Sequence, residues 1–233
     1  MEFTVRKYLE SFVELFFPRI CLVCSNNLLG QEELVCLHCL HELPRTNFHL
    51  EERNPVAELF YGRVKIEYAT AFFVFSKGSR YQKLIHSLKY KGMNEIGVLL
   101  GRYFGADLLD SPYFSDIDVV CPVPLHPKKE KKRGYNQSEF IARGIAERMD
   151  KKLSVNNLIR KTYTDSQTRK GRYERWENVE GIFELSIPEE FEGKHILLID
   201  DVVTTGSTLE ACVTAIMAAT KNTKVSIATL GFA

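Results

Sequence analysis

The adjacent carboxylates Asp200 and Asp201 are the side chains of this sequence best placed to do chemistry. They follow an apolar run, His195-Ile-Leu-Leu-Ile199, and precede Val202, Val203 and the turn Thr204-Thr205-Gly206-Ser207-Thr208. Two neighbouring carboxylates at the end of a buried strand repel each other and lose hydration, so they need a cationic or hydroxyl-rich partner. Gly206 permits a tight backbone turn, and the hydroxyl residues around it suit a helix N-cap. A helix starting there directs its free N–H groups at an anion, for which phosphate is a natural guest. A ribose 5-phosphate satisfies both halves, its diol meeting the carboxylates and its phosphate the turn. The plainer alternative is a capped strand–turn–helix with two solvated acids, and the acid pair closing an apolar strand weighs against it. The segment lacks the glycine spacing and the terminal Gly-Lys of a P-loop.

The second constellation is sulfur. Cys21-x-x-Cys24 and Cys36-x-x-Cys39 are separated by eleven residues. Each CxxC can turn two thiolates towards one ion, and two such knuckles make the four-sulfur set of structural Zn²⁺. So short a segment cannot build a core of its own, and a metal replaces one. A redox pair or two disulfides are the alternatives; a redox CxxC normally opens a helix beside a strand, which the pattern here does not predict. A closed set of four thiolates leaves no open position for zinc catalysis, and leaves His38 and His41 as spare donors. Cys121 and Cys212 read as inert buried residues, His86 and His195 as structural.

The elements that must position these groups follow from periodicity. Val5, Leu9, Phe12, Val13 and Phe16 recur at helical spacing over residues 5–17, a packing helix closed by Pro18. Residues 41–58 are polar, carry Pro44 and Pro55, and read as a linker or irregular connection. Strands are expected over Tyr68–Phe75, Ile117–Val123, Val155–Ile159, His195–Ile199 and Lys224–Leu230. Helices are expected over Tyr81–Tyr90, Ile96–Leu109, Gln137–Met149 and Ser207–Ala219. Gln167–Gly181 is too polar to assign. Strands alternating with helices indicate an α/β fold with a mostly parallel sheet flanked by helices.

Composition excludes several classes. With 45% apolar and 26% charged residues and a net charge of +1, the chain is neither disordered nor a general polycation. Any nucleic-acid contact must come from a local patch. No apolar run approaches the ~20 residues of a membrane span. Glu10 and Glu14 interrupt what would be a signal-peptide core, so the expected compartment is the cytoplasm.

Ile196–Leu209, ILLIDDVVTTGSTL, resembles the signature with which type I phosphoribosyltransferases bind 5-phosphoribosyl-1-pyrophosphate (PRPP). The resemblance implies that Asp200 and Asp201 take the ribose hydroxyls and that Val202, Val203, Thr204, Thr205, Gly206, Ser207 and Thr208 take the 5-phosphate. Val120-Cys-Pro-Val-Pro-Leu-His-Pro127, the following Lys128–Arg133 and Gly134-Tyr-Asn-Gln137 narrow it further. With Leu88-Lys-Tyr-Lys-Gly92, Asn178–Phe183 and the double CxxC, the chain is similar to the ComF family of competence-associated proteins from Leu15 onwards.

That likeness implies a small N-terminal four-cysteine, zinc-ribbon-like module (1–58) and a phosphoribosyltransferase-like domain (59–233). The loop after Val123 would hold pyrophosphate, with Lys128, Lys129, Lys131, Lys132 and above all Arg133 as its cations, Arg being able to grip two oxygens at once; a solvated basic loop is the alternative. Gln167–Arg175 falls where the family has a flexible active-site loop, and its basic residues with Tyr173 and Trp176 suit either a lid or a nucleic-acid contact. The implied function is PRPP binding in DNA uptake, with single-stranded DNA and competence proteins as partners. An active transferase is the other reading. There Asp200 and Asp201 would stabilise an oxocarbenium-like centre and Mg²⁺ would accompany the pyrophosphate. An amidophosphoribosyltransferase of this kind would need ammonia or a separate glutaminase, since the chain opens Met1-Glu2 and proceeds to cysteine knuckles.

Overall fold

Strand β6 (His195–Val203), whose first five residues are all buried, forms the middle of the sheet. The computed structural model describes residues 17–161 and 182–233. All but the last residue of the expected 5–17 helix, and the whole of Gln167–Gly181 with Tyr173, Arg175 and Trp176, lie outside the described residues.

Beside β6 run β7 (Lys224–Phe232) and β2 (Val119–Pro122), with β1 (Ala69–Val74) and β3 (Lys152–Leu153) at the edges. The order is β1-β7-β6-β2-β3 and every pairing is parallel. Strand alternation splits the core between two faces. Leu197, Ile199, Ala228 and Leu230 point to one, Ile196, Leu198, Val225 and Ile227 to the other. The first face is covered by α3 (Gln82–Tyr90), α4 (Glu95–Leu109), α6 (Gln137–Met149) and the cysteine segment, which includes α1 (Leu37–His41). The second is covered by α2 (Pro55–Glu58), α7 (Ser207–Ala219) and a small antiparallel pair, β4 (Leu158–Arg160) with β5 (Phe183–Leu185).

Helices α4 and α6 approach so closely that no β-carbon fits between them. A methyl group at Gly144 would lie 2.2 Å from the Val98 carbonyl, and one at Gly101 would lie 2.4 Å from the Ile141 carbonyl. This contact seats the start of α6 against the end of β6. Asn136 caps α6 through its side-chain oxygen, which accepts from the Ser138 N–H, while its amide donates to the Val123 carbonyl at 2.9 Å. His195 is structural, as expected: buried, with ring nitrogens 2.9 Å from Asp116 Oδ1 and 2.9 Å from Ser226 Oγ.

Several expectations are corrected. Strand β6 does not stop at Ile199 but runs to Val203, because Asp200, Val202 and Val203 still pair with Thr229, Gly231 and Phe232 of β7. Residues 155–157 bend rather than extend, so the Val155–Ile159 strand is replaced by β3 and β4 on either side. The 41–58 connection is less irregular than its composition suggests. It contains a 3-10 turn (Phe48–Leu50) and α2, whose Val56 is fully buried, and Asn54 caps α2 through two backbone N–H groups. The run Lys128–Arg133 is not a loop. It belongs to α5 (Pro127–Arg133), opened by Pro127 at its first turn with the His126 ring as cap and closed by Gly134 at φ 86°.

Candidate functional site

The carboxylates of Asp200 and Asp201 lie where β6 emerges from the sheet, the edge at which parallel α/β sheets present ligand-binding crevices. Asp200 Oδ1 accepts from Ser138 Oγ at 2.9 Å and from the Asp201 N–H at 2.8 Å. Asp201 Oδ1 pairs with Lys89 Nζ of α3 at 2.8 Å. Burial, followed by the neighbouring negative charge of Asp201, pushes the Asp200 carboxyl up from the usual 3.8 to about 7, against the Asp201 N–H, the Ser138 hydroxyl and Lys89, which all work to lower it. An acid pair held in this state has an unmet demand for hydrogen-bond donors or positive charge.

Beyond Val203 the chain makes the Thr204–Thr208 turn and enters α7. The N-cap is Gly206, at φ 74°, and no hydroxyl side chain caps the helix. That corrects the expected role of the threonines and serine, which stay exposed around the turn, with Thr205 Oγ1 3.1 Å from Ser207 Oγ. Gly206 is also needed for space, since a β-carbon there would meet the Phe60 ring at 3.0 Å. The resulting concavity, about 260 Å³ including its open mouth, is lined by Asp200 and Val202–Leu209 and faces the N-terminal end of the 13-residue α7.

A second cleft of about 600 Å³ adjoins it and shares Asp200 and Thr208. Among the described residues its walls carry four cations, Lys89, Lys129, Arg133 and Arg160, together with the acid pair, to which Lys89 is already bound through Asp201. Of the cations singled out from the sequence, Lys129 and Arg133 line this cleft, whereas Lys128, Lys131 and Lys132 are exposed on α5 and do not. Helix periodicity is the reason, since Lys129 and Arg133 are four residues apart and share a face. Arg133 donates to Gln137 Oε1, and its guanidinium lies 5.4 Å from the centre of the Tyr90 ring, within cation–π range. A third, more apolar cavity lies beyond Lys89, walled by Phe75, Ile85, His86, Tyr90, Val202 and Thr204.

Sequence reasoning missed Lys89, Ser138 and Arg160 as site residues. Lys89 and Ser138 stand more than sixty residues from the acids they touch, and Arg160 ends a three-residue strand. The one available signal was that Lys89 and Ser138 belong to or adjoin segments, Leu88–Gly92 and Gly134–Gln137, that already stood out.

The four cysteines converge. The sulfurs of Cys21, Cys24, Cys36 and Cys39 all lie within 4.8 Å of one another, with Cys24 and Cys36 at 3.8 Å. Four sulfurs each ~2.3 Å from one tetrahedral ion stand about 3.8 Å apart, so the cluster has the dimensions of a metal site. Burial works to raise the Cys21 thiol, but the backbone N–H groups of Cys24, Cys36 and Val23 outweigh it and bring the thiol down to about 7. One expectation is corrected here: Cys36 does open a helix, as the N-cap of α1. The presence of all four sulfurs in one cluster nonetheless favours a metal over a redox pair. The segment is fastened to α3 from behind, with Tyr81 Oη donating to the Cys39 carbonyl at 3.2 Å and Lys83 Nζ to the Val23 carbonyl at 3.3 Å. Cys121 and Cys212 are fully buried, and burial raises both thiols, in keeping with an inert role.

Residues 136–231 match the phosphoribosyl transferase domain. Over 82% of its length the chain is 27% identical to the DNA utilization protein YhgH of Escherichia coli O6:H1, covering 80% of that protein. It is 26% identical to competence protein ComFC of Bacillus subtilis over 91% of this chain and 94% of that one. Among solved structures, the allosteric regulatory enzyme of purine biosynthesis is similar over 57% of this chain and 25% of its own length, at 22% identity and a TM-score of 0.40. No helix among the described residues is long and apolar enough to cross a membrane. A parallel sheet that carries an acid pair to its edge, a cysteine cluster ahead of it and relatives named for competence and DNA utilization together support a ComF-family type I phosphoribosyltransferase-like protein.

Proposed function

We propose that this protein binds PRPP or a related ribose phosphate and uses that site in DNA uptake, with single-stranded DNA as a partner. The observation that carries the ligand is the meeting of two cavities at Asp200: an N–H-lined turn on one side and a cleft with four cations on the other. PRPP has the matching order of groups, a 5-phosphate, a diol and a pyrophosphate. The 5-phosphate belongs in the Thr204–Thr208 turn, the diol on Asp200 and Asp201, and the pyrophosphate against Lys129 and Arg133. The near-neutral carboxyl of Asp200 and the single lysine on Asp201 leave room for hydroxyl donors.

Magnesium suits this oxygen-rich setting, where it would supply charge neutralisation to the pyrophosphate. The cysteine cluster fits structural zinc, and its thiols suit a reducing compartment such as the cytoplasm. On this reading residues 1–58 form the metal module and 59–233 the ribose-phosphate domain.

The DNA part rests on the relatives' names, DNA utilization protein and competence protein, and on one surface. Helix α5 displays Lys128, Lys131 and Lys132 to solvent, and Tyr90, 67% exposed, lies under Arg133 beside them. Cations that follow a phosphodiester backbone next to a ring on which a base can stack form the usual single-strand platform.

Titration of PRPP with and without Mg²⁺, run in parallel with a pyrophosphate-release assay, tests the proposal. Binding without release supports a ligand-gated DNA-handling protein, and release on adding a base or amine makes it a transferase. If PRPP neither binds nor raises the melting temperature, the reading is wrong. Asp200→Asn with Asp201→Asn must abolish the binding that is seen.

A further inference from the structure

The phosphate turn is not self-supporting. Behind it, the segment that follows α2 packs Phe60, fully buried, against Gly206. Three residues on, Arg63 reaches across the sequence to the turn itself. Its Nη1 donates to the Thr205 carbonyl at 2.8 Å and to the Leu59 carbonyl at 2.9 Å, and its Nη2 donates to Ser207 Oγ at 3.5 Å and pairs with the Glu210 carboxylate. Arg63 therefore contacts the turn at a carbonyl, a hydroxyl and the first-turn acid of α7.

Glu210 places a charge of the wrong sign beside the turn. Its backbone N–H closes the first α7 bond to the Gly206 carbonyl at 2.9 Å, so its carboxylate lies within one helical turn of the N–H groups that would receive a phosphate. Unscreened, a negative charge in the first turn of α7 works against the binding of a dianion beside it. The guanidinium cancels that charge and holds the Thr205–Ser207 backbone in one arrangement at the same time. Arg63 lines neither the concavity nor the cationic cleft, so it acts through the turn rather than on the ligand.

We infer that Arg63 is a positioning residue for the 5-phosphate half of the site, fixing the Thr205–Ser207 turn and screening Glu210 so that the turn accepts a phosphate dianion. The inference rests on the ribose-phosphate reading above. It predicts selectivity between the two ends of the ligand, because the pyrophosphate cleft takes its cations from α3, α5 and β4, is not lined by Arg63, and shares only Asp200 and Thr208 with the phosphate turn.

The experiment is calorimetric titration of the full chain with two probes, ribose 5-phosphate and inorganic pyrophosphate. Arg63→Met is expected to weaken ribose 5-phosphate about tenfold, the scale of one charge-assisted hydrogen bond at a half-exposed site, while pyrophosphate changes less than about twofold. Arg63→Met combined with Glu210→Gln is expected to recover part of the loss, the share due to the unscreened charge, while the share due to the freed turn persists. Glu210→Gln alone removes the ion pair but keeps the arginine contacts to the Thr205 carbonyl and the Ser207 hydroxyl, and serves if Arg63→Met folds poorly; it is expected to tighten ribose 5-phosphate about threefold and leave pyrophosphate unchanged. Equal losses for both probes, no loss for either, or no recovery in the double variant each overturn the inference. A wild-type protein that ignores ribose 5-phosphate altogether overturns the ribose-phosphate reading itself, a result distinct from all of these.

Discussion

Replacing Asp200 with Asn should make the protein more stable, by an amount that grows with pH. The folded protein holds the Asp200 proton up to about pH 7, whereas the unfolded chain releases it near 3.8. Between those values the folded state binds more protons than the unfolded one, so raising the pH through this window weakens the fold. A shift of roughly three units corresponds to about 4 kcal/mol at full ionisation, and halving it for the solvent in the adjoining cleft leaves about 2 kcal/mol. Asparagine keeps an oxygen to accept from Ser138 and from the Asp201 N–H, and it never ionises. Urea denaturation at pH 5 and pH 8 measures the effect: the variant's advantage should widen by about 1–3 kcal/mol across that interval. In thermal melts each 1 kcal/mol is about 2–4 °C for a chain of this size. A pH-independent difference, or a variant less stable than wild type at pH 8, would refute the claim that the acid pair is held under electrostatic strain. The same substitution should weaken ribose-phosphate binding, so stability and binding move in opposite directions.

Other outcomes follow from the same geometry. Elemental analysis should find about one zinc per chain, lost in Cys21→Ser with Cys36→Ser, with a fall in melting temperature because α3 loses its brace through Tyr81 and Lys83. Lys89→Met removes the counter-ion of Asp201 and should cost about 1 kcal/mol of stability at pH 8 together with pyrophosphate affinity, both readable by melting and titration. Gly144→Ala should destabilise by about 1–3 kcal/mol in denaturant, since its methyl group would collide with the Val98 carbonyl. Alanine at Lys128, Lys131 and Lys132 should lower single-stranded DNA affinity and reduce the salt slope by up to about 0.7 per lysine in contact, with ribose 5-phosphate binding unchanged.

Much of this protein is local, and local features are legible. The apolar run of β6, the acids after it, the glycine turn and helix α7 are contiguous, so their order along the chain is also their order in space. The acid pair, the turn and the cysteine quartet could therefore be named from residue type and spacing. What spacing could not supply was the length of β6, because backbone pairing with β7 carries it past the apolar residues to Val203. Nor could it show that Lys128–Arg133 coils into a helix that turns Lys129, rather than Lys128, into the cleft.

The partners of the acids and of the turn belong to tertiary structure alone. Lys89 and Ser138 come from two separate helices and Arg63 from the segment after α2, 142 residues separating Arg63 from the carbonyl it holds. Lys89 and Ser138 lie in or beside segments that stand out, but nothing local pairs them with the acids, and nothing near Arg63 sets it apart from other surface arginines. Their roles come from the close approach of α4 to α6 through Gly101 and Gly144, the docking of α3 on the cysteine segment, and the packing of Phe60 behind Gly206. The sequence by itself determined which groups could bind a ribose phosphate and which could bind a metal, because those groups are neighbours along the backbone. Which charges balance them was decided only when the sheet brought distant helices to its carboxyl edge, since electrostatic partnership depends on distance in space and not on distance along the chain.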